Sequence, residues 1–142
     1  MSKIAIIYWS GTGNTEKMAQ EILQGVNESG NSGELFTVDA FRIDDMEKFD
    51  HFAFGCPSMG CEVLEESEFE PFFCKIETLL SGKKVALFGS YGWGDGQWMK
   101  DWQQRVLANG VDLFTEGLLV NGEPEEDDNR SCKLYGQSFA KY

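Results

Sequence analysis

The segment Ile4-Ala5-Ile6-Ile7-Tyr8-Trp9, followed at once by Ser10-Gly11-Thr12-Gly13-Asn14-Thr15, decides how the chain is read. Its first half is a short apolar run closed by turn residues, the pattern of a strand buried on both faces. From Thr15 onward, Met18, Ala19, Ile22, Leu23 and Val26 recur at steps of three and four, which predicts one apolar face of a helix. A strand, a glycine and hydroxyl turn, and a helix together make an anion cradle. The backbone N–H groups of the turn and the positive end of the helix dipole converge on one spot. Ser10, Thr12 and Thr15 add hydroxyls there, and Gly11 and Gly13 let the backbone turn sharply. The turn holds no lysine, so its donors are neutral. Alone the motif is ambiguous. Gly11-x-Gly13 is half of a dinucleotide fingerprint, but Glu16 stands where the third glycine belongs, and the Gly-Lys-Ser/Thr ending of a nucleotide-hydrolysing loop is missing. A terminal phosphate monoester suits it, and a tight turn with hydroxyl caps suits it equally.

Outward from this unit the same alternation continues. Leu35, Phe36 and Val38 predict a second strand, after a turn over Ser29–Gly33. Residues 42–50 predict a loop with a short helix, and Phe52-Ala53-Phe54-Gly55 a third strand buried on both faces. Phe69, Phe72, Phe73, Ile76, Leu79 and Leu80 give a second helical face, with Pro71 tolerable only in its first turn. Val85-Ala86-Leu87-Phe88-Gly89 is the next strand; Trp98, Trp102 and Val106 share a third helix. Residues 111–120 hold a strand interrupted near Gly117, and Cys132, Tyr135, Gly136, Phe139 and Ala140 mark a last helix. Short apolar strands alternating with helices are the signature of an α/β protein with a parallel sheet and helices on both faces. Ligands of such sheets sit beyond the carboxyl ends of the strands. Three unusual loops fall there, Ser10–Thr15, Cys56–Leu64 and Ser90–Gly96.

The 142 residues suffice for one domain, 1–142, with a full core. Twelve basic against twenty-four acidic residues give a net charge of −12, which argues against nucleic acid or an anionic membrane and favours basic protein partners. The same acid also serves solubility. Met1-Ser2-Lys3 leads straight into the first strand with no signal peptide, and no apolar run is long enough to span a bilayer, so a cytoplasmic protein is expected. Cys56, Cys61, Cys74 and Cys132 form no CxxC and lack a ferredoxin spacing, and His51 is the single histidine, so zinc and iron–sulfur sites are disfavoured. Reduced structural thiols are expected. His51 reads as structural, and no Ser-His-Asp or paired-carboxylate arrangement stands out.

Two further loops narrow the ligand. Tyr91 and Trp93 lie in a glycine-rich loop, where core aromatics would be misplaced, and Met59 lies in the facing loop. A flat ring stacked on Trp93 with Met59 against its other face accounts for both. A phosphate cradle beside a planar heteroaromatic slot describes a site for flavin mononucleotide (FMN).

Here Tyr8-Trp9-Ser10-Gly11-Thr12-Gly13-Asn14-Thr15-Glu16, Gly55-Cys56-Pro57-x-Met59-Gly60 and Gly82–Gly94 resemble the short-chain flavodoxins, closest to those of anaerobic bacteria. The acidic stretch from Glu62 to Phe72 strengthens the likeness, which runs from the first strand to the last helix. The resemblance implies a flavodoxin-like three-layer sandwich with a five-stranded parallel sheet in the order 2-1-3-4-5. It implies non-covalent FMN and one-electron transfer between redox proteins on the semiquinone/hydroquinone couple, with reductases and ferredoxin-dependent enzymes as partners and a monomeric state. Carried over, the phosphate loop falls on Ser10, Gly11, Thr12, Gly13, Asn14 and Thr15. Ring contacts fall on Ser58, Met59, Gly60, Cys61 and Glu62, with Glu62 on the pyrimidine N3–H, and on Ser90, Tyr91, Gly92, Trp93 and Gly94, largely through backbone. No metal or catalytic residue is implied. A small FMN-dependent quinone or nitro-compound reductase using NAD(P)H is the alternative, although the chain has no obvious insertion for a substrate pocket.

Charge gives a separate argument. With no Lys or Arg in the three loops, a reduced flavin anion beside a phosphate is opposed by repulsion, so a strongly negative second potential is expected. Glu62, Glu65, Glu66, Glu68, Asp95 and Asp101 are candidate docking acids. The departure from the family is Cys61, where relatives commonly carry Asp, Asn or Gly. In the family the peptide after the equivalent of Gly60 turns over on reduction. A turned-over type II turn would give Cys61 a positive φ, at a cost of about 1 kcal/mol. Cys61→Gly is therefore expected to raise the first reduction potential, measured by potentiometric titration; an unchanged or lower value removes this role for Cys61.

Overall fold

The computed structural model describes residues 2–142. In chain order they form β1 (Lys3–Tyr8), α1 (Asn14–Glu28), β2 (Ser32–Thr37), a 3-10 helix (Ile43–Lys48), β3 (His51–Gly55), α2 (Phe69–Ile76) continued by a 3-10 turn (Glu77–Leu79), β4 (Lys84–Tyr91), α3 (Gln97–Ala108), β5 (Asp112–Leu113), β6 (Leu118–Asn121) and α4 (Glu126–Ala140). All pairings within the sheet are parallel, in the order β2-β1-β3-β4-β5, with β6 also on β4. The interrupted strand foreseen near Gly117 is thus real: β5 and β6 are two pieces of one edge position. Between them the Gly117 N–H donates to Gln103 Oε1 (2.7 Å), and a Cβ on Gly117 would lie 2.2 Å from Met99 Sδ.

Two strand boundaries differ from the sequence reading. Ser32 and Gly33 belong to β2 and not to a turn, because they pair with Lys3 and Ile4; Gly33 passes so close under α1 that a Cβ would meet Leu23 at 2.8 Å. Ser90 and Tyr91 belong to β4 and not to the following loop, because Val120 and Asn121 of β6 pair with them.

The central strands explain their own composition. Ala5, Ile7, Phe52, Phe54, Val85 and Leu87 face the layer of α2 and α3, while Ile4, Ile6, Ala53, Ala86 and Phe88 face that of α1 and α4. Both faces are covered, so alternation of polar and apolar residues disappears. On the first face Phe69 and Phe73 meet Trp102 edge-on, at 5.4 and 5.7 Å between centroids. On the second, α1 and α4 touch backbone to backbone. A Cβ on Gly25 would sit 2.0 Å from Lys133 O, and one on Gly136 2.2 Å from Ile22 O. His51 is buried edge-on against Phe139 (5.0 Å) with neither ring nitrogen hydrogen-bonded, and burial, then Lys84, lowers its pKa. It is a structural residue, as expected.

One candidate docking acid is not at the surface. Glu65 is buried, and its carboxylate accepts the N–H groups of Ser67, Glu68 and Phe69 at 2.7, 2.7 and 2.8 Å, closing the start of α2. Burial acts to raise its pKa, but the three amides outweigh it and hold the group below the usual carboxylate range. A lowered folded pKa means stabilisation that is complete above the unfolded value of 4.5 and is lost as pH falls through the folded one. Glu65→Ala should cost about 1–3 kcal/mol at pH 7 in urea denaturation, and its difference from wild type should shrink below pH 4.5. Gly136→Ala should cost at least about 1–3 kcal/mol in the same assay, because α4 must move off α1.

Candidate functional site

The three loops emerge together because the ladder of β1, β3 and β4 continues past the strands. The Trp9 N–H donates to Gly55 O (3.0 Å), that of Cys56 to Phe88 O (3.1 Å) and that of Ser58 to Ser90 O (3.0 Å). Each loop is thereby fixed to its neighbour at the carboxyl edge of the sheet.

In the first loop, Gly13 takes φ +97° as α1 begins, and the cap comes from Ser10. Ser10 Oγ accepts from Gly13 N–H (3.1 Å) and Glu16 N–H (3.3 Å). With both lone pairs of Ser10 engaged, its own O–H can only donate. The amides opening α1 have no carbonyl one turn back within the helix and complete a set of donors. Thr15 stands apart from this display. It is 1% exposed, and its Oγ1 lies 2.8 Å from Ser90 Oγ, the other end of a buried hydroxyl pair.

A cavity of about 220 Å³ joins the loops. The first loop contributes Gly11, Thr12 and Asn14; the second, Ser58 and Met59; β4 and its exit, Ser90, Tyr91 and Gly92. Trp9, Pro57 and Gly122 complete it, and sequence reasoning did not select them. Trp9 and Pro57 adjoin quoted motifs, whereas Gly122 carries no signal; its N–H reaches Tyr91 O (2.8 Å) from the far end of β6. Across Trp9 lies a second cavity of about 490 Å³, lined by Ser10 and Gly13 and by the acids Glu16, Asp39 and Glu68. Tyr8 donates its hydroxyl to Glu16 there (3.0 Å); burial, then Glu16, raises its pKa to about 12. Neither cavity is lined by a lysine or arginine among the described residues.

The second loop is pinched by mutual hydrogen bonds between Met59 and Val63, at 2.8 and 3.0 Å, leaving Gly60-Cys61-Glu62 at its tip. The left-handed positions are Gly60 (φ +50°) and Glu62 (φ +56°), so in this turn Glu62 carries the backbone cost and Cys61 does not. The cost expected at Cys61 therefore attaches only to a turned-over form. Glu62 Oε1 accepts the Gln97 N–H at the start of α3 (3.1 Å). A Cβ on Gly94 would lie 2.5 Å from that oxygen, so the second and third loops touch where Gly94 has none.

In the third loop, the carbonyls of Ser90 and Tyr91 accept the Ser58 and Gly122 N–H groups, which ties the end of β4 to the second loop and to the exit of β6. Gly60, Cys61, Glu62, Trp93 and Gly94 lie outside the lining of the smaller cavity. Trp93 is 64% exposed and Met59 38%, two large apolar side chains presented on facing loops. All four cysteines are free thiols, with Cys56 and Cys132 buried and Cys61 and Cys74 exposed. Burial pushes the Cys132 thiol up to about 12 and the Cys56 thiol higher still, so neither ionises near neutrality.

Residues 6–136 match the family model described as flavodoxin. The chain is 50% identical over 135 residues to the flavodoxin of Clostridium beijerinckii, covering 95% of this chain and 97% of that one. It is 45% identical over 138 residues to the flavodoxin of Megasphaera elsdenii, covering 97% and 98%. The solution structure of two-electron reduced Megasphaera elsdenii flavodoxin superposes with a TM-score of 0.89 at 44% identity, covering 98% of this chain and 99% of that one. The chain belongs to the flavodoxin family, whose members are electron-transfer proteins that carry FMN.

Proposed function

We propose that the three loops hold FMN non-covalently and that the protein, as the single domain 1–142, is a low-potential one-electron carrier. The observation that carries this reading is the pairing of an uncharged anion cradle with two exposed apolar side chains on adjoining loops. Ser10 O–H, the opening amides of α1 and the nearby Thr12 suit a terminal phosphate, with Gly11, Gly13 and Asn14 shaping the approach. Met59 and Trp93 suit the two faces of a flat ring, and the backbone of Gly92, Trp93 and Gly94, with Gly60, Cys61 and Glu62 opposite, suits its polar edge. FMN, when bound, supplies the single-electron chemistry; the chain supplies orientation and a field. That field is negative, since the cavities lack cations and Glu16, Asp39 and Glu68 stand across Trp9, which disfavours adding an electron.

The relatives that match end to end are flavodoxins by name, and nothing among them supports the reductase alternative. Partners are other redox proteins. The exposed acids Glu66, Glu68, Asp95 and Asp101 suit basic faces on reductases and ferredoxin-dependent enzymes. A monomer in the cytoplasm fits this role, and no helix among the described residues is long and apolar enough to cross a membrane.

Titrating FMN into the ligand-free protein should quench flavin fluorescence with one-to-one stoichiometry. Trp93→Ala should weaken binding about tenfold through lost stacking, and potentiometry should resolve two one-electron steps whose lower potential rises with salt. A protein that takes up no FMN overturns the reading.

A further inference from the structure

His51 opens β3 at the end of the sheet opposite the three loops. Register sets Ile4, His51, Lys84 and Asp112 side by side across β1, β3, β4 and β5, so the four share one face, that of α1 and α4. The end of α4 closes over this row. Phe139 meets the His51 ring edge-on at 5.0 Å. The Lys84 ammonium lies 5.5 Å from the centre of the Tyr142 ring and donates to Tyr142 O (2.8 Å). The Tyr142 hydroxyl donates to Asp112, and Phe114 packs on both rings, 5.4 Å from Phe139 and 5.2 Å from Tyr142. His51 is 3% exposed, and neither of its ring nitrogens has a protein partner. It enters this contact as an uncharged ring packed among rings.

We propose that His51 is a pH-sensitive latch for the end of α4, which seats Phe139 when neutral and releases residues 139–142 from the sheet when protonated. The surroundings favour release over accommodation of the charge. A protonated ring carries two N–H donors, and no protein acceptor is in reach of either nitrogen. Lys84, the register neighbour on the same face, repels a second positive charge. Asp50 precedes His51, but its carboxylate accepts the Lys3 N–H (2.9 Å). Asp112 is engaged by the Tyr142 hydroxyl. Glu47 and Lys83 border the cavity that His51 and Lys84 line at this edge, and Lys141 on α4 is exposed. Burial, then Lys84, lowers the folded pKa from 6.5, and Asp50 only partly opposes them. A lowered histidine pKa means stabilisation that is complete above 6.5 and is lost as pH falls from there toward the folded value. Opening the end of α4 lets water solvate the charged ring. The latch lies at the opposite edge of the sheet from the FMN loops and does not depend on what they hold.

His51 is the single histidine, so its ring signals are unambiguous in proton NMR of the purified protein. Its Cε1–H should titrate with a midpoint below 6.5, and the ring signals of Phe139 and Tyr142 should move toward solvent-exposed values over the same midpoint. Hydrogen exchange in the last turn of α4, corrected for its intrinsic pH dependence, should rise about tenfold from about pH 7.5 to about pH 5.5. That exchange should be insensitive to low urea, since a local opening exposes little surface. His51→Phe should remove the rise, and Lys84→Met, which takes away the neighbouring charge, should raise the His51 midpoint. Circular dichroism identifies a variant that fails to fold, and the wild-type titration tests the latch without either. A midpoint at or above 6.5, or Phe139 and Tyr142 signals that do not follow it, overturns the inference. So does a urea dependence equal to that of the central strands, which means that only complete unfolding frees His51.

Discussion

The site depends on the parallel ladder that locks β1, β3 and β4 and runs on past their ends. Tyr8, Gly55 and Phe88 stand in register, and the next amides, of Trp9, Cys56 and Ser58, are still bonded across to the neighbouring strand or its exit. A shift of one residue in either pair would turn every core side chain to the opposite helix layer. It would also separate Ser10, Met59 and Trp93. The apolar strands that make the core therefore also set the spacing of the loops.

Around that edge the molecule withholds positive charge. The first cavity draws its donors from backbone and hydroxyl groups, and the second is rimmed with carboxylates. Helix termini take the place of cations: the opening amides of α1 have no acceptor one turn back within the helix, α3 holds Glu62, and α2 holds Glu65. These last two carboxylates look alike in sequence and do different work. Glu65 is buried as a cap that anchors the end of the second loop, while Glu62 ties the tip of that loop to the start of α3.

Much of the fold was legible because its signals are local. The apolar runs of β1, β3 and β4, the helical faces of α1 and α3 and the break at Gly117 all follow from periodicity, and the structure reproduces them. The errors came where partners far along the chain decide. Ser32 and Gly33 look like turn residues, and Ser90 and Tyr91 like the start of a loop, until their pairing strands are known. Leu79 fits the apolar periodicity of α2 yet is 48% exposed, because the helix gives way to a 3-10 turn after Ile76.

The sequence by itself determined the α/β alternation, the neutral glycine and hydroxyl turn, the aromatic and methionine facing loops and the acidic charge, since each is written in neighbouring residues. Only the tertiary structure decided that Thr15 meets Ser90, that Glu65 is a cap, that Gly122 closes the cavity, and that the left-handed strain falls on Glu62 and not on Cys61. Those outcomes depend on contacts between segments distant along the chain, or on how a pinched loop closes, and local periodicity carries no record of either.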